Sequence, residues 1–237
     1  MKPQVICHML SSVDGRLHVG RYTPLTSGKT STEASAPYYE YSAKFDADAQ
    51  IIGGRTARES ALPLRYEGDV ATRPAHFQTF VGHRQSKRSL IVLDPQGTIR
   101  YDSDNVSGEN LIAVLGESVS QQYLDHLQAQ GVSYLFAGPK GDDVPRLLGT
   151  LSADFGMTRV LVEGGGTING AFLKAGVIDE LSLMLYPGID GLAGIPSIFE
   201  CQGAPGEKPA EGQSMELVAV ETLPDGIVWL RYRFHRQ

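Results

Sequence analysis

A run of three glycines between a strand pattern and a helix pattern constrains the fold of this chain most strongly. A predicted strand at residues 158–162 ends before Glu163, and residues 164–166 are the glycines. One face of the helix that follows consists of Ile168, Ala171, Phe172 and Ala175. Glycine has no Cβ to keep an anion away, and the free N–H groups of a helix start carry partial positive charge. The junction therefore predicts a phosphate-binding site beside a carboxylate.

A second junction of the same kind occurs early in the chain. A predicted strand runs into Gly53 and Gly54, and a helix is expected to begin there. Arg55 and Arg58 flank Thr56 in the first turn, where cations meet the positive end of the helix dipole. A bound 2′-phosphate or pyrophosphate would explain both arginines. The alternative is that both side chains project into solvent.

Strand and helix patterns alternate along most of the chain. Strands are predicted at residues 5–10, 49–52, 89–93, 111–115, 133–137, 158–162, 181–185, 216–222 and 227–234. Helices are predicted at residues 32–44, 120–129 and 144–155 and after each glycine junction, and long loops at 11–30, 62–82 and 203–212. We expect an α/β protein with residues 1–237 in a single domain, a mostly parallel mixed sheet and helices on both faces. The Asp225-Gly226 turn predicts an antiparallel C-terminal hairpin.

Composition excludes several classes of protein. The 237 residues are 41% hydrophobic, which is enough for a core without disulfides, and Cys7 and Cys201 are expected to be reduced structural thiols. A net charge of −6 argues against a general nucleic-acid surface. No apolar run has the length of a membrane span or a signal peptide, so we expect a cytoplasmic protein. No histidine or cysteine spacing indicates a metal site.

The glycines have other interpretations. The dinucleotide fingerprint G-x-G-x-x-G fails at Asn169, and residues 28–30 lack the P-loop glycine because Thr23 stands in its place. A tight turn with close packing would need one or two glycines and no acidic neighbour. Glu163 favours a ligand site, because a carboxylate at the end of an apolar strand requires a polar partner.

Several motifs occur in the order typical of one known family. They are Ser12-Val13-Asp14-Gly15-Arg16, Asp48-Ala49, Gly53-Gly54-Arg55-Thr56 and the stretches at 89–94, 160–166, 177–181 and 186–191. The series resembles the riboflavin-biosynthesis pyrimidine reductase family, which is the C-terminal reductase module of the bifunctional deaminase-reductase. The resemblance covers residues 5–233. It implies a dihydrofolate-reductase-like fold, and we expect no deaminase domain ahead of the reductase domain.

The resemblance implies an NADPH-dependent reductase, usually a homodimer, that converts a ribosylamino-pyrimidine phosphate to its ribitylamino product. Opening of the ribose gives an imine at C1, which accepts a hydride from nicotinamide C4. The family motifs imply cofactor binding by Gly53, Gly54, Arg55, Thr56, Asp94, Gly164, Gly165, Gly166 and Thr167. They imply substrate binding by Ser12, Asp14, Arg65 and Glu163, with Asp14 and Glu163 as the catalytic candidates. Asp14 is expected near the reacting ribityl group, and Glu163 is expected to anchor polar groups.

The chain departs from the family on the substrate side. Residues 44–47 differ from the family pattern, the tryptophan of the first loop is missing, and the spacing around Arg65 is loose. An acid at Asp94 would also disfavour a 2′-phosphate. Two alternatives therefore stay open. The first is a reductase of another small carbonyl, imine or pterin such as dihydrofolate, and the second is a nucleotide-binding module without turnover.

Overall fold

The computed structural model describes residues 2–68 and 72–237, within which it has ten strands and six α-helices. The strands are β1 (Gln4–Ser12), β2 (Ala49–Gly53), β3 (Ser89–Leu93), β4 (Asn105–Val106), β5 (Glu109–Leu115), β6 (Ser133–Phe136), β7 (Arg159–Val162), β8 (Glu180–Tyr186), β9 (Gln213–Thr222) and β10 (Val228–Arg236). The helices are α1 (Ser31–Ala34), α2 (Ala36–Ala43), α3 (Gly54–Ser60), α4 (Gln121–Ala129), α5 (Val144–Ala153) and α6 (Gly166–Lys174). The predicted α/β class is confirmed.

The chain divides into two compact units, and it crosses from one to the other within β7. The first unit contains Ala47–Val160 with the first residues of the chain, and the second contains Gln4–Asp46 and Leu161–Gln237. A single reductase domain over residues 1–237 stays a prediction. Within residues 2–68 and 72–237, no helix has the length and apolar character of a bilayer span.

A parallel sheet forms the centre of the first unit. Strands β2, β3, β5 and β6 pair in that order, so that Ile51 lies beside Ile91 and Ile91 beside Ile112. The two-residue strand β4, which the sequence pattern does not predict, pairs with β5 in the antiparallel direction. The core of this unit includes Ile52, Val92, Ile99, Leu111, Leu115, Tyr123 and Leu127. The carboxyl ends of β2 and β3, where Gly53 and Asp94 stand, are thereby neighbours.

The second unit combines one parallel pair with an antiparallel hairpin. Strand β1 lies parallel to β8, and β8 then pairs with β10, which pairs with β9. The predicted hairpin is confirmed, and Asp225 and Gly226 both adopt the positive φ angles of 62° and 80° that a tight hairpin turn favours. The core of this unit includes Leu10, Tyr22, Leu25, Tyr41, Met184 and Tyr186.

The edge strand β9 is exposed along most of its length. Met215 is 53%, Leu217 52% and Val220 61% exposed, although all three are apolar. The pairing with β10 shifts at Val218, which has no partner opposite it. This bulge keeps Met215, Leu217 and Val220 on one face, because each lies opposite an even-numbered residue of β10.

One predicted helix is wrong in its extent. Residues 32–44 were expected to form one helix, but two helices meet at Ser35. Pro37 lies in the first turn of α2 and has no N–H to donate to the Glu33 carbonyl. The helix ladder is therefore interrupted there. The predicted loop at 62–82 has no helix or strand in its described part, and its residues 69–71 lie outside the described ranges.

Candidate active site

The start of α6 has the geometry of an open anion cradle. Gly165 is its N-cap residue, with a φ angle of 72°, and no side chain caps the helix. The first helical hydrogen bond runs from the Asn169 N–H to the Gly165 carbonyl oxygen at 3.1 Å. The N–H groups of residues 166–168 therefore precede the helix ladder. A Cβ at Gly165 would meet no atom within 4 Å, so the outer side of this turn has room for a ligand.

The neighbouring glycine has a different role. A Cβ at Gly166 would overlap the Ser197 carbonyl oxygen, and a Cβ at Gly170 would overlap the Glu200 carbonyl oxygen. The Glu200 N–H also donates to the Gly166 carbonyl oxygen at 2.9 Å. Gly166 therefore permits the backbone of residues 197–201 to cross α6 closely. The spacing of four residues between Gly166 and Gly170 was the sequence signal for this crossing.

Glu163 is half-buried directly after β7, as the sequence pattern predicts. Its Oε1 accepts a hydrogen bond of 2.8 Å from the hydroxyl of Ser42, a residue of α2 that the sequence analysis does not identify. Burial, and then the charge of Glu163, raise the pKa of the Cys7 thiol and the Tyr38 hydroxyl well above their ordinary values. Cys7 is therefore a protonated thiol in the core.

Asp14 is an anchored carboxylate at the end of β1. The Ser12 hydroxyl donates to its Oδ1 at 2.6 Å, and the N–H groups of Gly191 and Asp190 donate at 2.9 and 3.1 Å. These hydrogen bonds, with that of Ser12 the largest contribution, lower the pKa of Asp14 to about 2. Asp14 is thus ionised at neutral pH and cannot serve as a proton donor there.

The loop of Asp14 and the start of α6 meet the same segment of chain. Arg16 donates from its guanidinium to the Ile195 carbonyl oxygen at 2.8 Å and forms a short antiparallel bridge with Ser197. The same segment crosses α6 at Gly166. The second unit therefore joins the predicted substrate loop and the predicted phosphate junction through residues 195–200, which no local pattern in the sequence indicates.

In the first unit, the other glycine junction also forms a strand–helix turn. Gly53 is the N-cap of α3, with no side-chain cap, and Arg55 is exposed while Thr56 is partly exposed. A Cβ at Gly54 would lie 3.2 Å from the Leu93 carbonyl oxygen, so this glycine allows α3 to begin close to the end of β3. Arg58 does not project freely into solvent, because it donates to the Thr98 hydroxyl at 3.0 Å.

Asp94 faces inward rather than toward a ligand. It is 3% exposed, and its carboxylate accepts hydrogen bonds from the Thr98 hydroxyl, the Ile99 N–H and the Tyr123 hydroxyl at 2.8, 2.9 and 3.2 Å. These hydrogen bonds hold the turn after β3 together. Arg65 is exposed and forms a short antiparallel bridge with Ile99 at the end of this turn.

The described residues contain no group of three or more histidine, cysteine, aspartate or glutamate side chains arranged to hold a metal ion. The polar groups gathered around Asp14 and Glu163 are hydroxyls, N–H groups and carboxylates. Such groups bind and orient polar ligands and fix protonation states.

The mixed α/β sheet with its antiparallel C-terminal hairpin has the dihydrofolate-reductase-like fold that the sequence predicts, and a solved pyrimidine reductase-like protein shares this fold. The chain belongs to the RibD C-terminal domain family, whose model matches residues 3–229. The resemblance on which the site residues were selected is thereby confirmed at the level of the family.

Two relatives and one solved structure show the breadth of the similarity. The chain is 24% identical to the 2,5-diamino-6-ribosylamino-4(3H)-pyrimidinone 5′-phosphate reductase of Aquifex aeolicus, over 85% of this chain and 84% of that protein. It is 28% identical to the riboflavin biosynthesis protein RibD of Chlamydia muridarum over 65% of this chain, and the match spans only 45% of that protein. A pyrimidine reductase-like protein of Corynebacterium diphtheriae superposes with a TM-score of 0.66 at 17% identity, covering 99% of this chain and 93% of that one.

Proposed function

We propose that this protein is an NADPH-dependent reductase of riboflavin biosynthesis. Its substrate would be a ribosylamino-pyrimidine 5′-phosphate, which is reduced to the ribitylamino compound. The observation that carries the proposal is the open turn at Gly165 in a chain of the RibD C-terminal domain family. The name of the Aquifex aeolicus relative, which matches over most of both chains, supports this substrate class.

A dinucleotide pyrophosphate fits the start of α6. The turn offers the N–H groups of residues 166–168 that precede the helix ladder, a positive helix end and no Cβ at Gly165. The exposed Thr167 hydroxyl provides a further donor beside them. In the first unit, Gly53, Gly54 and Thr56 would hold another part of the cofactor at the start of α3. The bound nicotinamide would supply the hydride.

The phosphorylated form of the cofactor is favoured by two residues of the first unit. The Asp94 carboxylate is buried and accepts hydrogen bonds from Thr98, Ile99 and Tyr123, so a 2′-phosphate at the protein surface would not contact it. Arg55 is exposed in the first turn of α3 and is available to pair with that phosphate. Asp94 is therefore compatible with binding of the 2′-phosphate of NADPH.

The substrate side would depend first on the anchored carboxylate of Asp14. Asp14 remains an anion at neutral pH and can accept hydrogen bonds from sugar hydroxyls or stabilise positive charge on the imine nitrogen. Ser12 holds the Asp14 carboxylate in one orientation. Glu163 would anchor polar groups of the substrate, and the exposed Arg65 would bind its phosphate. Orientation of the two ligands then provides much of the rate enhancement.

A homodimer is part of the proposal, and the exposed face of β9 supports it. Four of the ten exposed large hydrophobic residues in the described ranges lie on this one strand. An exposed apolar edge strand of this kind promotes aggregation unless another chain or element packs on it. A second copy of the chain would pack on this strand through Met215, Leu217 and Val220.

The test of the proposed function is substrate-dependent oxidation of NADPH by the purified protein. The loss of absorbance of reduced nicotinamide is followed with the ribosylamino-pyrimidine phosphate and, in a parallel reaction, with dihydrofolate. We expect turnover with the pyrimidine only. Tight NADPH binding without oxidation in either reaction would instead support a nucleotide-binding module, and turnover with dihydrofolate alone would identify a different reductase.

A further inference from the structure

A buried histidine lies in the middle of β1 and takes no part in the proposed chemistry. His8 is 0% exposed, and its neighbour in register on β8, Ser182, is also completely buried. The His8 Nδ1 atom lies 2.8 Å from Ser182 Oγ, and Nε2 lies 3.0 Å from the Tyr38 carbonyl oxygen. The His8 ring stacks on the Tyr38 ring with a centroid distance of 4.4 Å. A pair of apolar residues would fill this place more simply, so the polar pair requires an explanation.

The hydrogen bonds of this group have one consistent direction. The Trp229 indole can only donate, and it donates to Ser182 Oγ at 2.8 Å. The Tyr38 carbonyl oxygen can only accept, so His8 Nε2 must carry the proton. His8 Nδ1 is then an acceptor, and the Ser182 hydroxyl donates to it. A chain of hydrogen bonds therefore runs from Trp229 on β10 through Ser182 and His8 to the Tyr38 carbonyl oxygen of α2.

The same helix carries the donor that orients Glu163. Ser42 follows Tyr38 by four residues and therefore lies on the same face of α2, one turn further on. Its hydroxyl donates to Glu163 Oε1 at 2.8 Å, and Ser42 itself is 6% exposed. Tyr38 is held at a second point, because its own hydroxyl donates to the His8 carbonyl oxygen at 3.1 Å. The position of Ser42 thus depends on the position of Tyr38 over β1.

We propose that His8 is a positioning residue that orients the Glu163 carboxylate through α2. It fixes Tyr38 over β1, and this places the Ser42 hydroxyl against Glu163. The inference rests on the proposed function, because it assigns how one carboxylate of that reductase is held. It predicts that loss of the bond from His8 to Tyr38 lowers turnover without a change in cofactor affinity.

Two substitutions of His8 separate this role from simple core packing. In His8→Gln, the amide nitrogen reaches the place of Nε2 and keeps the donation to Tyr38, whereas the bond with Ser182 is lost. In His8→Asn, the amide oxygen reaches the place of Nδ1 and keeps the bond with Ser182, whereas the donation to Tyr38 is lost. We expect kcat to fall about tenfold in His8→Asn and to stay within about twofold of wild type in His8→Gln. The Kd for NADPH should be unchanged in both.

Equal kcat values in the two variants would overturn the inference, because each variant loses one hydrogen bond at the same buried site. Ser42→Ala gives an independent test, since alanine favours the helix. It should lower kcat about tenfold, and the double variant His8→Asn/Ser42→Ala should be no slower than Ser42→Ala alone. Multiplied losses in the double variant would also contradict the inference.

If His8→Asn does not fold, Tyr38→Phe replaces it in the same cycle with Ser42→Ala, because it removes the other hydrogen bond that holds Tyr38 over β1. The expectation and the contradicting result are the same. Wild-type protein without turnover refutes the proposed function itself. An active wild type whose two His8 variants are equal refutes only the positioning role. The two failures are therefore distinguishable.

Discussion

The stability of this protein should fall on mild acidification because His8 is buried as a neutral ring. Burial lowers the pKa of His8 to about 4, against an ordinary value of 6.5. As the pH falls below 6.5, the unfolded chain binds a proton at His8 while the folded chain does not. Protonation therefore favours the unfolded state, and the stability present at pH 8 is lost progressively until the pH reaches about 4.

The size of this effect follows from the two pKa values. Between pH 8 and about pH 4, the difference between the folded and unfolded pKa values of His8 corresponds to about 3 kcal/mol of unfolding free energy at 25 °C. About 2 kcal/mol of it should be lost by pH 5. A loss of this size is a large part of the stability of an ordinary domain.

The assay is urea unfolding of wild type and His8→Gln at pH 8 and pH 5. The fluorescence of Trp229 reports on the transition, because it is the one tryptophan of the chain and donates to Ser182. Glutamine does not titrate, and the carboxylates common to both proteins contribute equally. We expect the stability advantage of wild type over His8→Gln to shrink by about 2 kcal/mol at pH 5. If the difference in unfolding free energy between wild type and His8→Gln is the same at both pH values, His8 is not buried as a neutral ring.

Three further predictions concern the cofactor and the assembly. Gly165→Ala and its control Gly176→Ala both place alanine at a positive φ angle, at the two ends of α6. Each should therefore lower the stability by about 1–2 kcal/mol. Only Gly165→Ala should weaken NADPH binding, by about tenfold in calorimetry. Equal NADPH affinities in the two variants would contradict pyrophosphate binding at this turn. Arg55→Gln should raise the Kd for NADPH about tenfold and leave that for NADH unchanged, whereas the exposed control Arg73→Gln should alter neither. Leu217→Asp should convert a dimer to monomers in sedimentation, and a wild type that sediments as a monomer would contradict the proposed use of β9.

Much of the fold follows from local patterns in the sequence. The parallel strands of the first unit are continuous apolar runs, and the hairpin follows from a turn that needs positive φ angles at Asp225 and Gly226. The predicted helix at 32–44 fails because the apolar spacing continues across Ser35, while the missing N–H of Pro37 interrupts the ladder.

The site was less predictable, because its contacts join residues far apart in the chain. Ser42 and Glu163 are separated by 121 positions, and no local pattern records such a pair. The sequence pattern predicts one common role for the three glycines, although Gly165 faces open space and Gly166 faces the Ser197 backbone. The inward-facing Asp94 carboxylate accepts hydrogen bonds from Thr98 and Ile99 nearby and also from Tyr123, 29 positions away. Local sequence patterns therefore indicate at which strand ends polar residues occur, but not whether their side chains face the core or a ligand.

The proposed function requires a hydride transfer from nicotinamide to C1 of the opened ribose. The direct measurement uses NADPH deuterated at the transferable C4 position with the ribosylamino-pyrimidine phosphate, followed by mass spectrometry and NMR of the product. We expect a ribitylamino product with one deuterium at C1 of the side chain. Recovery of unreduced substrate from NADPH-bound protein, or a reduced product without deuterium at C1, would contradict it.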